Sequence, residues 1–137
     1  MKLRKTGKII SVTTAAFTAA GGFLADSNKT HLFNPGWTPH SKFHDAMTIL
    51  LAAMLGSSSV YLLSKKDGDI DRQLTWATLL PSFFWAGSFA MPGAKGLEAE
   101  FPKKVKKPGG IVLNEGPVIA VMLALLGFGY CLAKKGK

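Results

Sequence analysis

The chain has 137 residues, 47% of them hydrophobic, a mean hydropathy of +0.20 and a formal net charge of +9. Its apolar residues are gathered in long runs, which excludes an ordinary small soluble domain. Basic residues flank those runs, as in proteins whose lysines contact anionic lipid headgroups, so we expect membrane lipids and no nucleic acid as partners. A single cysteine, Cys131, excludes an intrachain disulfide and a cysteine-based zinc site.

Four apolar runs predict the architecture. They cover residues of about 9–25, 39–63, 74–91 and 111–133, and each is near the length of about 20 residues with which a helix crosses a bilayer. Short connections favour packing of consecutive helices side by side. We therefore expect a single membrane domain over residues 1–137, folded as an all-α, antiparallel four-helix transmembrane bundle.

The first run follows a basic start, so it is either a retained helix or a cleaved signal peptide. Phe23 and Ala25 before Asp26 make a poor cleavage site, and we favour the retained helix. Small residues in this run predict a smooth surface on which another helix packs closely. These residues are Ala15, Ala16, Ala19, Ala20, Gly21 and Gly22.

Two prolines give local predictions. Thr38 before Pro39 is typical of an N-cap followed by proline at the first helical position, so the second helix should begin at Pro39. Pro81 lies inside the third run and removes one backbone hydrogen bond near Ala77. A neighbouring helix or a polar side chain must compensate for this loss.

The distribution of lysines and arginines predicts the orientation. Positive residues concentrate on the cytoplasmic side of membrane proteins, so we expect an integral, multi-pass protein with both termini in the cytoplasm. That side would then hold ten of the 17 basic residues: Lys2, Arg4, Lys5, Lys8, Lys65, Lys66, Arg72, Lys134, Lys135 and Lys137.

All three histidines lie in one stretch, Asn28–Asp45, with the sequence NKTHLFNPGWTPHSKFHD. In an antiparallel bundle of four spans, the first and third connections lie on the same side. This stretch should therefore meet Asn114 and Glu115 at the start of the last span. Glu98 and Glu100 in the third connection either join this site or are solvated loop charges. Placing polar residues at the edge of the hydrocarbon core costs free energy, so their presence there indicates a functional role.

One hypothesis for this site is acid–base chemistry on a hydrophobic small molecule, as in a membrane-embedded isomerase or cyclase, with no cofactor required. The catalytic candidates are His40 and His44, one helical turn apart, with Asp45 and Glu115 as orienting or proton-accepting carboxylates. The substrate-binding candidates are polar or aromatic: Asn28, His31, Asn34, Trp37, Trp85 and Asn114.

A second hypothesis is a divalent metal held by His31, His40 and His44, in a non-catalytic accessory subunit of a larger membrane complex. The H-x-x-x-H spacing alone has weak specificity, and no H-E-x-x-H motif is present. A homo-oligomer is a further alternative.

A third interpretation is purely structural. The histidines would then contact headgroups or water, and Asp45 would interact with the helix dipole. Asn114 and Glu115 would cap the last helix.

The stretch Asn28–Asp45 resembles the signature N-x-T-H-x-x-N-P-x-W-P-P-H-x-x-F-H of an uncharacterised family of small four-span membrane proteins. Thr38 stands where that family usually has its first proline, which leaves the helix start intact. The resemblance implies that Asn28, His31, Asn34, Trp37, His40 and His44 belong to the family pattern. Members are often mislabelled as acetyltransferases, but nothing in this chain is similar to an acetyl-coenzyme A site, and the resemblance implies no reaction.

Overall fold

The computed structural model describes residues 2–89 and 115–136, and in this part of the chain helices are joined by turns and irregular connections, without a strand. Its helices are α1 (Lys2–Asp26), α2 (Pro39–Ser64), α3 (Ile70–Phe89) and α4 (Glu115–Lys135). Three of them, α1, α2 and α4, are long and apolar enough to cross a membrane. The all-α prediction is therefore confirmed for the described residues.

The helix boundaries follow local sequence rules. Thr38 has extended backbone angles (φ −65°, ψ 157°), and its hydroxyl accepts a hydrogen bond from the Ser41 amide at 3.2 Å. The predicted N-cap and the start of α2 at Pro39 are thus confirmed. Helix α1 begins seven residues before the predicted span, at Lys2 and not at Ile9, because the basic residues of the first turns are themselves good helix formers. Residues 90–91 and 111–114 of the predicted spans lie outside the described residues.

The four helices pack as a bundle in which α1 contacts α2 and α4, and α3 contacts the same two helices. Between α1 and α2 the backbones approach closely. A Cβ atom built on Gly56 would lie 2.5 Å from both the Ala15 carbonyl oxygen and the Ala19 amide nitrogen. The smooth packing surface predicted for α1 is therefore confirmed at Ala15 and Ala19, whereas Ala16 and Ala20 are exposed.

A second close approach joins α1 to α4. A Cβ atom on Gly7 would clash with the Ala133 amide nitrogen and would lie 2.5 Å from the Gly129 carbonyl oxygen. Such contacts leave no room for a side chain, so glycine is required at this crossing. Small residues in membrane helices commonly allow backbones to pack in this way.

Trp85 links α3 to α1. Its indole N–H donates a hydrogen bond to the Thr18 hydroxyl oxygen at 2.9 Å, and the Thr18 hydroxyl donates to the Thr14 carbonyl within α1. Thr18 is buried. This chain of hydrogen bonds satisfies two polar side chains inside the bundle.

At the end of the bundle where α1 begins and α4 ends, Asp71 of α3 lies between two cationic side chains. Its carboxylate oxygens are 4.0 Å from Arg4 of α1 and 3.6 Å from Lys134 of α4. A cavity of about 30 Å³ opens near Arg4, Lys8 and Leu74. A volume of this size holds one or two water molecules, so this cavity is too small for a lipid.

Candidate functional site

The connection between α1 and α2 is a compact loop that is held by its own hydrogen bonds. The His31 amide donates to the Asn28 carbonyl, the Asn34 amide to the His31 carbonyl, and the Trp37 amide to the Asn34 carbonyl. The Asn28 side chain forms an Asx turn, because its Oδ1 accepts from the Thr30 amide at 2.7 Å. The loop therefore presents its side chains in defined positions.

Asn34 is the buried centre of this loop, with 9% of its surface exposed. Its Nδ2 donates to the Thr30 carbonyl at 3.2 Å, and its Oδ1 accepts from the Gly36 amide at 2.9 Å. Both ends of the amide are thus engaged within the loop. These contacts support a positioning role for Asn34, which the sequence had suggested as a substrate-binding residue.

His31 has a polar partner at each ring nitrogen. Its Nδ1 lies 2.9 Å from the Thr30 hydroxyl oxygen, and its Nε2 lies 3.7 Å from Asp26 Oδ1 at the end of α1. The Trp37 ring packs against the imidazole edge to face, with ring centroids 5.9 Å apart. The His31 side chain is only 17% exposed, so it is enclosed by its neighbours.

The Thr30 hydroxyl lies within hydrogen-bond distance of both Asn28 Oδ1 and His31 Nδ1. If the hydroxyl hydrogen is directed at Asn28 Oδ1, the hydroxyl oxygen accepts from a protonated His31 Nδ1; in the other tautomer the hydroxyl donates to Nδ1. In both tautomers His31 Nε2 faces the Asp26 carboxylate.

Asp45 and Trp37 contribute polar atoms that the described residues leave unsatisfied. Asp45, in the second turn of α2, interacts electrostatically with His31. Its Oδ2 is shielded from solvent and has no hydrogen-bond partner among the described residues, and the same holds for Trp37 Nε1. One acceptor and one donor therefore remain available beside His31, at the energetic cost of buried unpaired polar groups.

His40 and His44 form a separate pair. Their Nε2 atoms are 3.1 Å apart, and their ring centroids are 4.4 Å apart. Both residues are exposed. The predicted placement of these histidines on one face of α2 is confirmed, but the pair lies at the protein surface.

The predicted set of three metal-binding histidines is not assembled within residues 2–89 and 115–136. This part of the chain has no group of three His, Cys, Asp or Glu side chains placed to hold a metal ion. His31 is engaged by Thr30 and Asp26, whereas His40 and His44 are engaged by each other. The three-histidine site stays a prediction.

The remaining predicted site residues fall into two groups. Asn28 shapes the loop, with its Nδ2 donating to the Ala25 carbonyl, and Trp85 donates to Thr18 inside the bundle. The other group lies outside the described part: Asn114, the side chain of Glu115, Glu98 and Glu100.

Thr30 was missed as a site residue. The signal was present in the sequence, since Asn-x-Thr is typical of an Asx turn, and such a turn brings the threonine hydroxyl back to the asparagine. Because Thr30 directly precedes His31, the same turn places a hydroxyl beside the imidazole.

Comparison with known proteins gives a family but no function. No curated protein and no solved structure shows a significant match to this chain. One family model matches residues 9–137, which is nearly the whole sequence. The expectation of an uncharacterised family is thereby confirmed, while the specific signature and the number of spans stay predictions. The chain belongs to the family of unknown function DUF6640.

Proposed function

We propose that this protein is an integral membrane protein that binds a hydrophobic small molecule at the α1–α2 connection and exchanges a proton with it through His31. The observation that carries the proposal is the pair of unsatisfied buried atoms, Asp45 Oδ2 and Trp37 Nε1, beside an imidazole that is held between Thr30 and Asp26. Buried polar atoms without partners destabilise a fold. Their presence is accounted for if a bound molecule supplies the missing partners.

The proposed placement in the membrane is an antiparallel transmembrane bundle. The order of the interhelix contacts supports it: Gly22 lies near Ile49 and Ala15 near Gly56, so α1 and α2 run in opposite directions. Arg4 lies near Gly136 and Gly7 near Ala133, so α1 and α4 also run in opposite directions. In this placement the α1–α2 connection lies at one membrane surface, both termini lie at the other, and a lipid-soluble substrate enters from the bilayer.

The proposed chemistry assigns one role to each group. His31 Nε2 removes a proton from the substrate, and Asp26 stabilises the imidazolium that results. Trp37 Nε1 donates a hydrogen bond to a substrate oxygen and Asp45 accepts one from a substrate hydroxyl group, while the imidazolium of His31 returns its proton at another carbon of the substrate. A proton that leaves one carbon and returns at another gives an isomer, so this set of groups suits an isomerase or a cyclase.

The acid–base centre of this proposal is His31, and not the pair His40 and His44 that the sequence suggested. The difference in burial supports this choice: the His31 side chain is 17% exposed, whereas both members of the pair are exposed residues. A base that is shielded from bulk water keeps the transferred proton within the site.

The test uses the full chain purified in lipid nanodiscs. Mass spectrometry would compare the small hydrophobic molecules that copurify with the wild type, with His31→Ala and with Asp45→Asn, and His40→Ala is the matched control. We expect a small hydrophobic molecule to copurify with the wild type and with His40→Ala but not with Asp45→Asn. Incubation of a membrane lipid extract should give a product of unchanged mass and altered retention time with the wild type but not with His31→Ala. Equal retention and equal product with all four proteins would refute the proposal.

A further inference from the structure

The histidine pair on α2 has the geometry of two ligands to one metal ion. The two Nε2 atoms are 3.1 Å apart. Nitrogens that bind a single ion at about 2.0–2.1 Å are roughly 2.8–3.4 Å apart when the bond angle lies between a right angle and the tetrahedral angle. We propose that His40 and His44 form a bidentate site for a divalent transition-metal ion, independent of the site at His31.

The helix holds this pair in place before any ion binds. Thr38 caps α2 and Pro39 occupies its first position, so His40 lies in a well-defined first turn. His44 lies one turn later, and its ring packs edge to face against Phe43, with centroids 5.6 Å apart. Ligands positioned in this way lose little conformational freedom on binding.

The exposure of both residues gives an ion access from solvent. Two protein nitrogens leave further coordination positions for water or for a ligand from a partner. Imidazole nitrogens suit Zn²⁺, Ni²⁺ and Cu²⁺, whereas Mg²⁺ and Ca²⁺ prefer oxygen ligands. The site should therefore bind Cu²⁺ more tightly than Zn²⁺ or Ni²⁺, and it should not bind Mg²⁺.

Another explanation of the short distance is a proton shared between the two imidazoles. A neutral pair can form one N–H···N hydrogen bond at 3.1 Å without any metal. The two explanations make different predictions, because a shared proton requires no saturable binding of an ion.

In the experiment, the full chain in nanodiscs is titrated with Cu²⁺, Zn²⁺ and Mg²⁺, and calorimetry measures the binding of each ion. The variants are His40→Ala, His44→Ala and the double replacement, with His31→Ala as the control. Loss of an outer-shell partner of a metal typically lowers affinity about 10- to 100-fold, so loss of a direct ligand should lower the Cu²⁺ affinity at least tenfold. Electron paramagnetic resonance of the Cu²⁺ complex should show nitrogen hyperfine structure with the wild type and His31→Ala, and lose it with the double variant.

Two outcomes would overturn the proposal: no saturable Cu²⁺ binding by the wild type, or equal binding by the double variant. Thermal unfolding of each variant verifies that it is folded, and His40→Gln and His44→Gln provide a second pair of replacements that remain polar. The test is separate from that of the proposed function. His31→Ala should keep the metal and lose the acid–base product, whereas the double variant should lose the metal alone.

Discussion

The Ser59 hydroxyl of α2 donates a hydrogen bond of 2.5 Å to the Ala77 carbonyl oxygen of α3. Pro81 lies four residues after Ala77 and has no amide N–H, so α3 itself cannot supply the donor that this carbonyl would have in a regular helix. Both Ser59 and Ala77 are fully buried. The predicted compensation for Pro81 by a polar side chain is therefore confirmed, and it comes from the neighbouring helix.

Replacement of Ser59 by alanine should destabilise the bundle. The Ala77 carbonyl would lose its donor while staying buried, which costs about 1–3 kcal/mol. The change in the free energy of unfolding is measured on the purified protein in detergent, with circular dichroism to monitor unfolding. Ser57→Ala is the matched control, because Ser57 is exposed on the same helix. This replacement should lower the free energy of unfolding by less than about 0.5 kcal/mol. Equal losses for both variants would contradict the role of Ser59.

A double-mutant cycle tests the same relationship through Pro81. Pro81→Ala restores an amide N–H that can bond the Ala77 carbonyl within α3. Ser59→Ala should then cost less in the Pro81→Ala background than in the wild type, with an interaction energy of about 0.5–3 kcal/mol. Strict additivity of the two replacements would show that Ser59 and Pro81 act independently.

Much of this fold could be predicted from the sequence because its signals are local. Thr38 and Pro39 mark a helix start wherever they occur before an apolar run, and Pro81 requires a donor from elsewhere in any helical fold. The identity of that donor could not be predicted, since Ser59 is one of three consecutive serines and only the packing of α2 on α3 selects it.

The candidate site was less predictable, because the packing of different segments determines which residues come together in it. The spacing of His40 and His44 predicts that they are adjacent, but it does not show whether the face of α2 that carries them is covered. The environment of His31 combines the end of α1, an Asx turn and a carboxylate from the second turn of α2. Asp26 and Asp45 are distant from each other in sequence, and no periodic pattern relates them.

A second prediction concerns the close approach of α1 and α2. Gly56→Ala places a methyl group 2.5 Å from backbone atoms of Ala15 and Ala19, and backbone cannot move aside as a flexible side chain can. We expect a loss of about 1–3 kcal/mol, which is typical of overpacked cores. The melting temperature in detergent measures this effect.

Gly127→Ala in α4 is the control for that replacement. Nothing among the described residues lies within 4 Å of a Cβ atom at Gly127. Alanine there should leave stability unchanged or raise it by up to about 1 kcal/mol, because glycine loses more conformational entropy in a helix. If both variants were stabilised, the packing of α1 against α2 would differ from that described.

A third prediction concerns the orientation in the membrane. In a Cys131→Ser background, a cysteine at Phe33 in the α1–α2 connection and one at Lys66 after α2 should lie on opposite sides of the bilayer, because α2 separates them. Both positions are exposed. In sealed vesicles of known sidedness, a membrane-impermeant maleimide should label Phe33→Cys from the outer face and Lys66→Cys only after permeabilisation. Labelling of both from one side would contradict a spanning α2.

The last prediction separates stability from function at Asp45. Its shielded Oδ2 has no hydrogen-bond partner among the described residues, so this carboxylate does not contribute the stabilisation that Ser59 provides. Asp45→Leu removes an unsatisfied buried acceptor and keeps a side chain of similar size. We expect the free energy of unfolding to stay unchanged or rise by up to about 1 kcal/mol, while the copurifying small molecule is lost. Natural proteins keep such destabilising groups where activity requires them. A marked loss of stability, with the molecule still bound, would instead assign Asp45 to the structure of the loop and leave the proposed site without its acceptor.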